Sequence, residues 1–163
     1  MRARQPSGPL PIKEEEIGES VSHLLEEGRM LIPGVQALFG FQLVIVFSQP
    51  FATLLVPSER LWHLVAIACS VVTLILLFTP AMVHRQRESG WATQGFVNMS
   101  SKLMSTASIP LSIALAIDFG LVTRVITENG LLALVSAGLT LVFIVVFWNV
   151  LPHDDRLLAV LRR

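Results

Sequence analysis

The sequence predicts an all-α protein, an integral membrane four-helix bundle with an N-terminal cytoplasmic amphipathic helix. Of its 163 residues 53% are hydrophobic and only 15% charged, with a mean hydropathy of +0.66. That is more apolar surface than a water-soluble domain of this size buries. The stretch Met30 to Gln49, MLIPGVQALFGFQLVIVFSQ, sits in a run to Ser58 that has no charged side chain. At about 1.5 Å per residue it is long enough to cross a hydrocarbon core of about 30 Å. Three further apolar segments of spanning length follow it, joined by short polar connectors.

Residues 1–12 hold three prolines and a glycine and read as a disordered tail. The basic N-terminus has no apolar run before its acidic cluster, so it is unlike a cleavable secretory signal, and the first span is expected to direct insertion. Over residues 13–29, Ile17, Val21, Leu24 and Leu25 recur at helical spacing among six glutamates, which predicts an amphipathic cytoplasmic helix. It is expected to lie along the membrane surface, docked on the protein, and to turn inward near Gly28 and Pro33. The plain alternative is a solvated acidic helix, because acidic faces bind anionic lipid poorly.

The transmembrane domain is expected over residues 30–151, with spans at about 30–52, 61–83, 103–123 and 129–151, followed by a short cytoplasmic tail. The segment Arg85 to Lys102 reads as the longest internal connector. The last residues, 154–163, have the leucines of a short interfacial helix.

Basic residues set the orientation, because Lys and Arg accumulate on the cytoplasmic side of short loops. With the N-terminus inside, ten of the twelve face the cytoplasm, leaving Arg60 and Arg124 outside. Both termini are then cytoplasmic, in the inner (plasma) membrane. Trp62 and Trp148 fall where the two interfaces would lie.

Net charge is zero, which gives no basic field to attract nucleic acid, and basic residues are not interleaved with aromatics. One cysteine, Cys69, builds neither a disulfide framework nor a thiolate metal site. No glycine-rich phosphate loop, paired-histidine helix motif or nucleophile elbow is present, so no catalytic constellation, metal site or cofactor is expected. His153, Asp154 and Asp155 read as a solvated helix end, since three adjacent residues do not point at one centre.

The pieces Glu27-x-Arg29, Pro33-Gly34-Val35-Gln36 and Leu38-Phe39-x-Phe41, with Pro80 to Arg85 at the close of the second span, resemble a family of small bacterial membrane proteins catalogued only as a domain of unknown function. The resemblance runs from Leu24 to about Leu151. It implies four spans and no activity.

Candidate site residues are the polar ones at membrane depth. Asp118 lies sixteen residues beyond Lys102, about 24 Å along the third helix and so near the outer boundary. His63 lies at a similar depth. Two readings follow: a proton-handling Asp118–His63 pair, or a shallow aspartate meeting water, Arg124 or Arg60. Gln42 is a further intramembrane candidate. Ser101, Ser105, Ser108, Ser112, Ala116 and Gly120 draw a stripe of small residues, read as a packing face or, alternatively, a polar conduit. Near the cytoplasmic mouth Glu26, Glu27, Arg29, Gln36, His84 and Arg85 are expected to cluster, as a packed latch or a docking site.

The resulting expectation is a non-enzymatic structural, regulatory or accessory membrane protein, partnered by the bilayer and by a second copy or another membrane protein. The alternative is a small oligomeric ion or proton channel or transporter.

Overall fold

The computed structural model describes residues 12–87 and 93–150, with side chains over 17–86 and 93–148. Helix α1 runs Ile12–Val46, α2 Gln49–Leu54, α3 Pro57–Arg87, α4 Gln94–Thr127 and α5 Gly130–Val145, and a π-helical turn Val146–Val150 follows. Four segments are long and apolar enough to cross a membrane: Ile17–Val46, Pro57–Gln86, Gln94–Thr127 and Gly130–Trp148.

Helix α1 continues through Gly28 and Pro33, so the inward turn expected there is absent and the amphipathic segment is the first part of the spanning helix. The reason is a seven-residue repeat. Val21, Gly28, Val35 and Gln42 are buried in turn, one every two turns, which keeps a single line of α1 on the rest of the protein. Gly28 lies on this line opposite Met104, where a Cβ would make an ordinary contact with Met104 Cε at 4.0 Å. Pro33 is exposed, outside the buried line.

Helix α1 stops six residues short of the expected boundary. Pro50 has no N–H to offer the Val46 carbonyl, and Ser48 instead caps α2 by accepting from the Phe51 N–H at 3.4 Å. Helix α3 starts on a reciprocal cap in which Glu59 Oε2 accepts from the Val56 N–H at 3.0 Å. The expected connector 85–102 is largely helical: α3 extends to Arg87, and Thr93 caps α4 by accepting from the Phe96 N–H at 3.3 Å. The N-terminal tail 1–11, the residues 88–92 and the C-terminal segment from Leu151, with His153, Asp154 and Asp155, lie outside the described residues.

Helices α3 and α4 form the main seam. On α3 the buried positions His63, Ala66, Ser70, Thr73, Leu77 and Pro80 advance by alternating steps of three and four, a heptad line of mostly small side chains. Leu77 meets Ala107 of α4 and Val35 of α1 in the core. Helix α5 returns from α4 through the tight turn Glu128–Asn129, where Glu128 adopts φ 54° and the Asn129 side chain caps α5. It packs along α4 and makes no substantial contact with α1 or α3 among the described residues. The arrangement is a three-helix core of α1, α3 and α4 with α5 laid on α4.

Gly120, the last member of the small stripe of α4, serves that contact. A Cβ on Gly120 would sit 2.9 Å from Ala137 Cβ and 3.2 Å from the Ala133 carbonyl oxygen. Two serines of the stripe turn their hydroxyls back on their own helix. Ser108 donates to the Ser105 carbonyl at 2.7 Å and Ser112 to the Ser108 carbonyl at 2.6 Å, so neither serves the Thr106 carbonyl that Pro110 leaves without its donor.

Candidate functional site

Gln42, His63 and Asp118 come from α1, α3 and α4 and meet at the end of the molecule where α2 lies. The heptad line of α1 ends on Gln42, the line of α3 begins on His63, and Asp118 sits on α4 opposite both. Gln42 is 3% exposed and His63 6%, while the Asp118 side chain keeps 20% of its surface open.

Gln42 Nε2 donates to Asp118 Oδ2 at 2.6 Å. His63 Nε2 lies 3.0 Å from the Gln42 backbone oxygen, a contact in which only the nitrogen can donate, so Nε2 carries a proton. His63 Nδ1 faces Asp118 Oδ1 at 3.4 Å. A neutral ring protonated on Nε2 would aim a lone pair at an ionised carboxylate. The 3.4 Å contact is too long for a good hydrogen bond, and Asp118 Oδ1 and Gln42 Oε1 are buried acceptors without a hydrogen-bond partner among the described residues.

Phe51 of α2 covers His63 edge-on, with ring centroids 5.2 Å apart. Beside the cluster lies a cleft of about 300 Å³, walled mainly by apolar side chains of α1, α2 and α4 and reaching Gln42, His63 and Asp118.

The charged groups nearby are engaged elsewhere. Arg124 Nε pairs with Glu59 Oε1 at 3.0 Å, and Arg60 donates to the carbonyls of Leu55 at 2.9 Å and Ala52 at 2.7 Å. The two arginines thus tie the helix ends together instead of meeting Asp118. Of the two readings of Asp118, the geometry gives the one with His63 as its neighbour. Gln42 as a third member was not evident from its residue type alone, although the spacing of seven from Val35 marks it as buried.

Of the other expected cluster, Arg29 and His84 come to one cavity. Glu26, Arg29, Pro33 and Gln36 do share a face of α1, but all four are exposed, and no ion pair or hydrogen bond joins Arg85 to Glu26 or Glu27 among the described residues. What the structure does bring together is Arg29, Pro33, Pro80 and His84, which line a separate cavity of about 410 Å³, with His84 against the Phe96 ring at 5.5 Å.

No curated protein and no solved structure matches the chain. A family model does match, over residues 13–152, extending the resemblance upstream of Leu24. The match includes all four apolar helices and Gln42, His63 and Asp118, and the chain therefore belongs to this family of unknown function, DUF6328.

Proposed function

We propose that the protein is a non-enzymatic, four-span component of the bacterial inner membrane, accessory or regulatory in role, with both termini in the cytoplasm. The ten-to-two distribution of basic residues supports that orientation and places the Gln42–His63–Asp118 cluster near the outer face.

The observation that carries the reading is where the cluster ends. Toward the cytoplasm it abuts a closed seam in which Ala66, Ser70 and Thr73 of α3 and Ala114 of α4 are each 0% exposed. Two hydroxyls along this part of the molecule are spent on their own helix turns, Thr73 donating to the Cys69 carbonyl at 2.9 Å and Ser112 to the Ser108 carbonyl, while the fully buried Ser70 hydroxyl has no hydrogen-bond partner among the described residues. A polar group that stops against such packing is suited to hold helices or a ligand, and poorly suited to pass an ion. The apolar face of α5, with Leu131, Leu134, Leu139 and Phe143 each more than 60% exposed, is available to lipid or to a membrane partner.

Reconstitution in liposomes tests this. The protein is expected to give no proton, sodium, potassium or anion flux above empty vesicles, and to co-purify with a stable membrane partner. Reproducible flux abolished by Asp118→Ala would overturn the accessory reading in favour of a channel or transporter.

A further inference from the structure

We propose that the cavity between α1 and α3 that Arg29 and His84 line binds one anionic phospholipid, with its phosphate on the Arg29 guanidinium and part of an acyl chain inside. With the orientation proposed above this lipid belongs to the cytoplasmic leaflet, while the site itself does not depend on that orientation.

Two antiparallel helices set the polarity of the cavity. Arg29 is the last charged residue of α1 before the uncharged run that begins at Met30, and His84 follows the stretch Leu64 to Val83 of α3, which has no charged side chain. Both therefore mark the same boundary of the spanning helices, and both line this cavity of about 410 Å³. Toward the middle of the membrane its walls are apolar on each helix, with Ile32 and Pro33 about one turn from Arg29 and Leu77 and Phe78 about two turns from His84. Pro33 and Ala81 line it and are exposed, so it is open at the side, toward hydrocarbon. A molecule that fits is polar at the boundary and apolar inward, which is the order of a phospholipid. A soluble phosphate compound meets Arg29 and leaves the apolar walls unfilled.

Charge sets the headgroup. Arg29 makes no ion pair or hydrogen bond among the described residues, and no acidic side chain lines the cavity. Glu26 and Glu27 precede it on α1 but are exposed, lie outside the lining and have no ion pair with it. Arg85, next to His84, and Lys102, two residues before Met104 of the wall, are exposed cations that add to the positive field. An arginine keeps its charge at every physiological pH, lays its aliphatic stem on apolar surface and offers paired N–H donors that match two phosphate oxygens. Phosphatidylglycerol brings a phosphodiester with its charge uncompensated. Phosphatidylcholine brings the same phosphodiester with a cation already attached, and gains less from Arg29.

The test uses the full-length protein, stripped of lipid in a neutral maltoside detergent, and native mass spectrometry to count bound lipids. Palmitoyl-oleoyl phosphatidylglycerol is the probe, and phosphatidylcholine with the same chains is its zwitterionic counterpart. One phosphatidylglycerol is expected to bind at least about fivefold more tightly than phosphatidylcholine, the effect of one cation near a membrane surface. Arg29→Gln should bring the two lipids to within about twofold of each other, whereas Lys102→Gln, which removes an equal charge outside the cavity, should keep the preference. Ala81→Trp, which fills the cavity from its open side, should weaken both lipids at least about fivefold. All three positions are exposed, and circular dichroism checks that each variant keeps its helices. Glycerol 3-phosphate in excess over the lipid should displace nothing. Equal binding of the two lipids, a preference that survives Arg29→Gln, a preference lost as fully in Lys102→Gln, binding indifferent to Ala81→Trp, or displacement by glycerol 3-phosphate would each overturn the proposal, the last in favour of a soluble phosphate compound. Micelles expose both ends of the protein, so a reversed orientation would move the lipid to the other leaflet without changing these outcomes, and flux in liposomes would overturn the accessory reading alone.

Discussion

An ionised carboxylate moved from water into an apolar interior loses hydration worth several kcal/mol unless fixed dipoles and opposite charge replace it. Asp118 meets that requirement through the Gln42 amide and the His63 ring, so the two are expected to behave as one energetic unit with it. Asp118→Ala is expected to destabilise by about 1–3 kcal/mol, and the His63→Phe/Asp118→Leu double variant to be closer to wild type than the sum of the singles. Thermal unfolding in detergent measures this, and strict additivity would show His63 and Asp118 to be independent. Gly120 is the second critical residue. Its missing Cβ leaves room for the Ala133 and Ala137 backbone of α5, so Gly120→Ala should cost about 1–3 kcal/mol by the same assay, a loss not expected for Gly34→Ala in open space. At this scale the sequence was partly legible. Asp118 and His63 stood out because ionisable side chains are rare at membrane depth. Glu59 did not, since nothing in its surroundings reveals that one carboxylate both caps α3 and pairs with Arg124.

Helices α1, α3 and α4 are held by heptad lines whose buried members are small or polar as often as they are bulky. In lipid no hydrophobic gain separates a helix contact from a lipid contact, so close approach and local hydrogen bonds decide the interface. This explains the break wrongly expected in α1. Gly28 and Pro33 suggest a turn by residue type, yet Val21, Gly28, Val35 and Gln42 keep one face in register across both. Spacing carried the information that composition concealed. The same line leaves Glu26 and Gln36 exposed and keeps Arg29 at the edge of the cavity that it shares with Pro80 and His84. Pro33→Ala restores an N–H for the Arg29 carbonyl on the exposed face. It is expected to leave the fold intact and shift stability by less than about 1 kcal/mol, whereas Val35→Ala, which hollows the core beside Leu77 and Ala107, should cost about 1–3 kcal/mol. Helicity by circular dichroism and unfolding midpoints distinguish the two, and equal losses would mean that Pro33 shapes the helix path.

The whole molecule is less symmetric than four apolar segments suggest. A core of three helices carries the polar cluster, and α5 adds a fourth apolar helix that touches chiefly α4. Hydropathy showed that this segment is apolar and long enough to cross a membrane but not against what it rests, because a helix apolar on every side has no stripe to mark its neighbour. Orientation, by contrast, comes from charge distribution alone and decides which solution the cluster lies near. Reaction of single cysteines with a membrane-impermeant thiol reagent on intact expressing cells tests it directly, with Cys69→Ala removing the native thiol. Ser58→Cys, exposed at the start of α3 close to the cluster, is expected to label before lysis, and Gln94→Cys, exposed at the opposite end of the core, only after it. Labelling of Gln94→Cys from outside with Ser58→Cys protected would put the cluster at the cytoplasmic face and contradict the account.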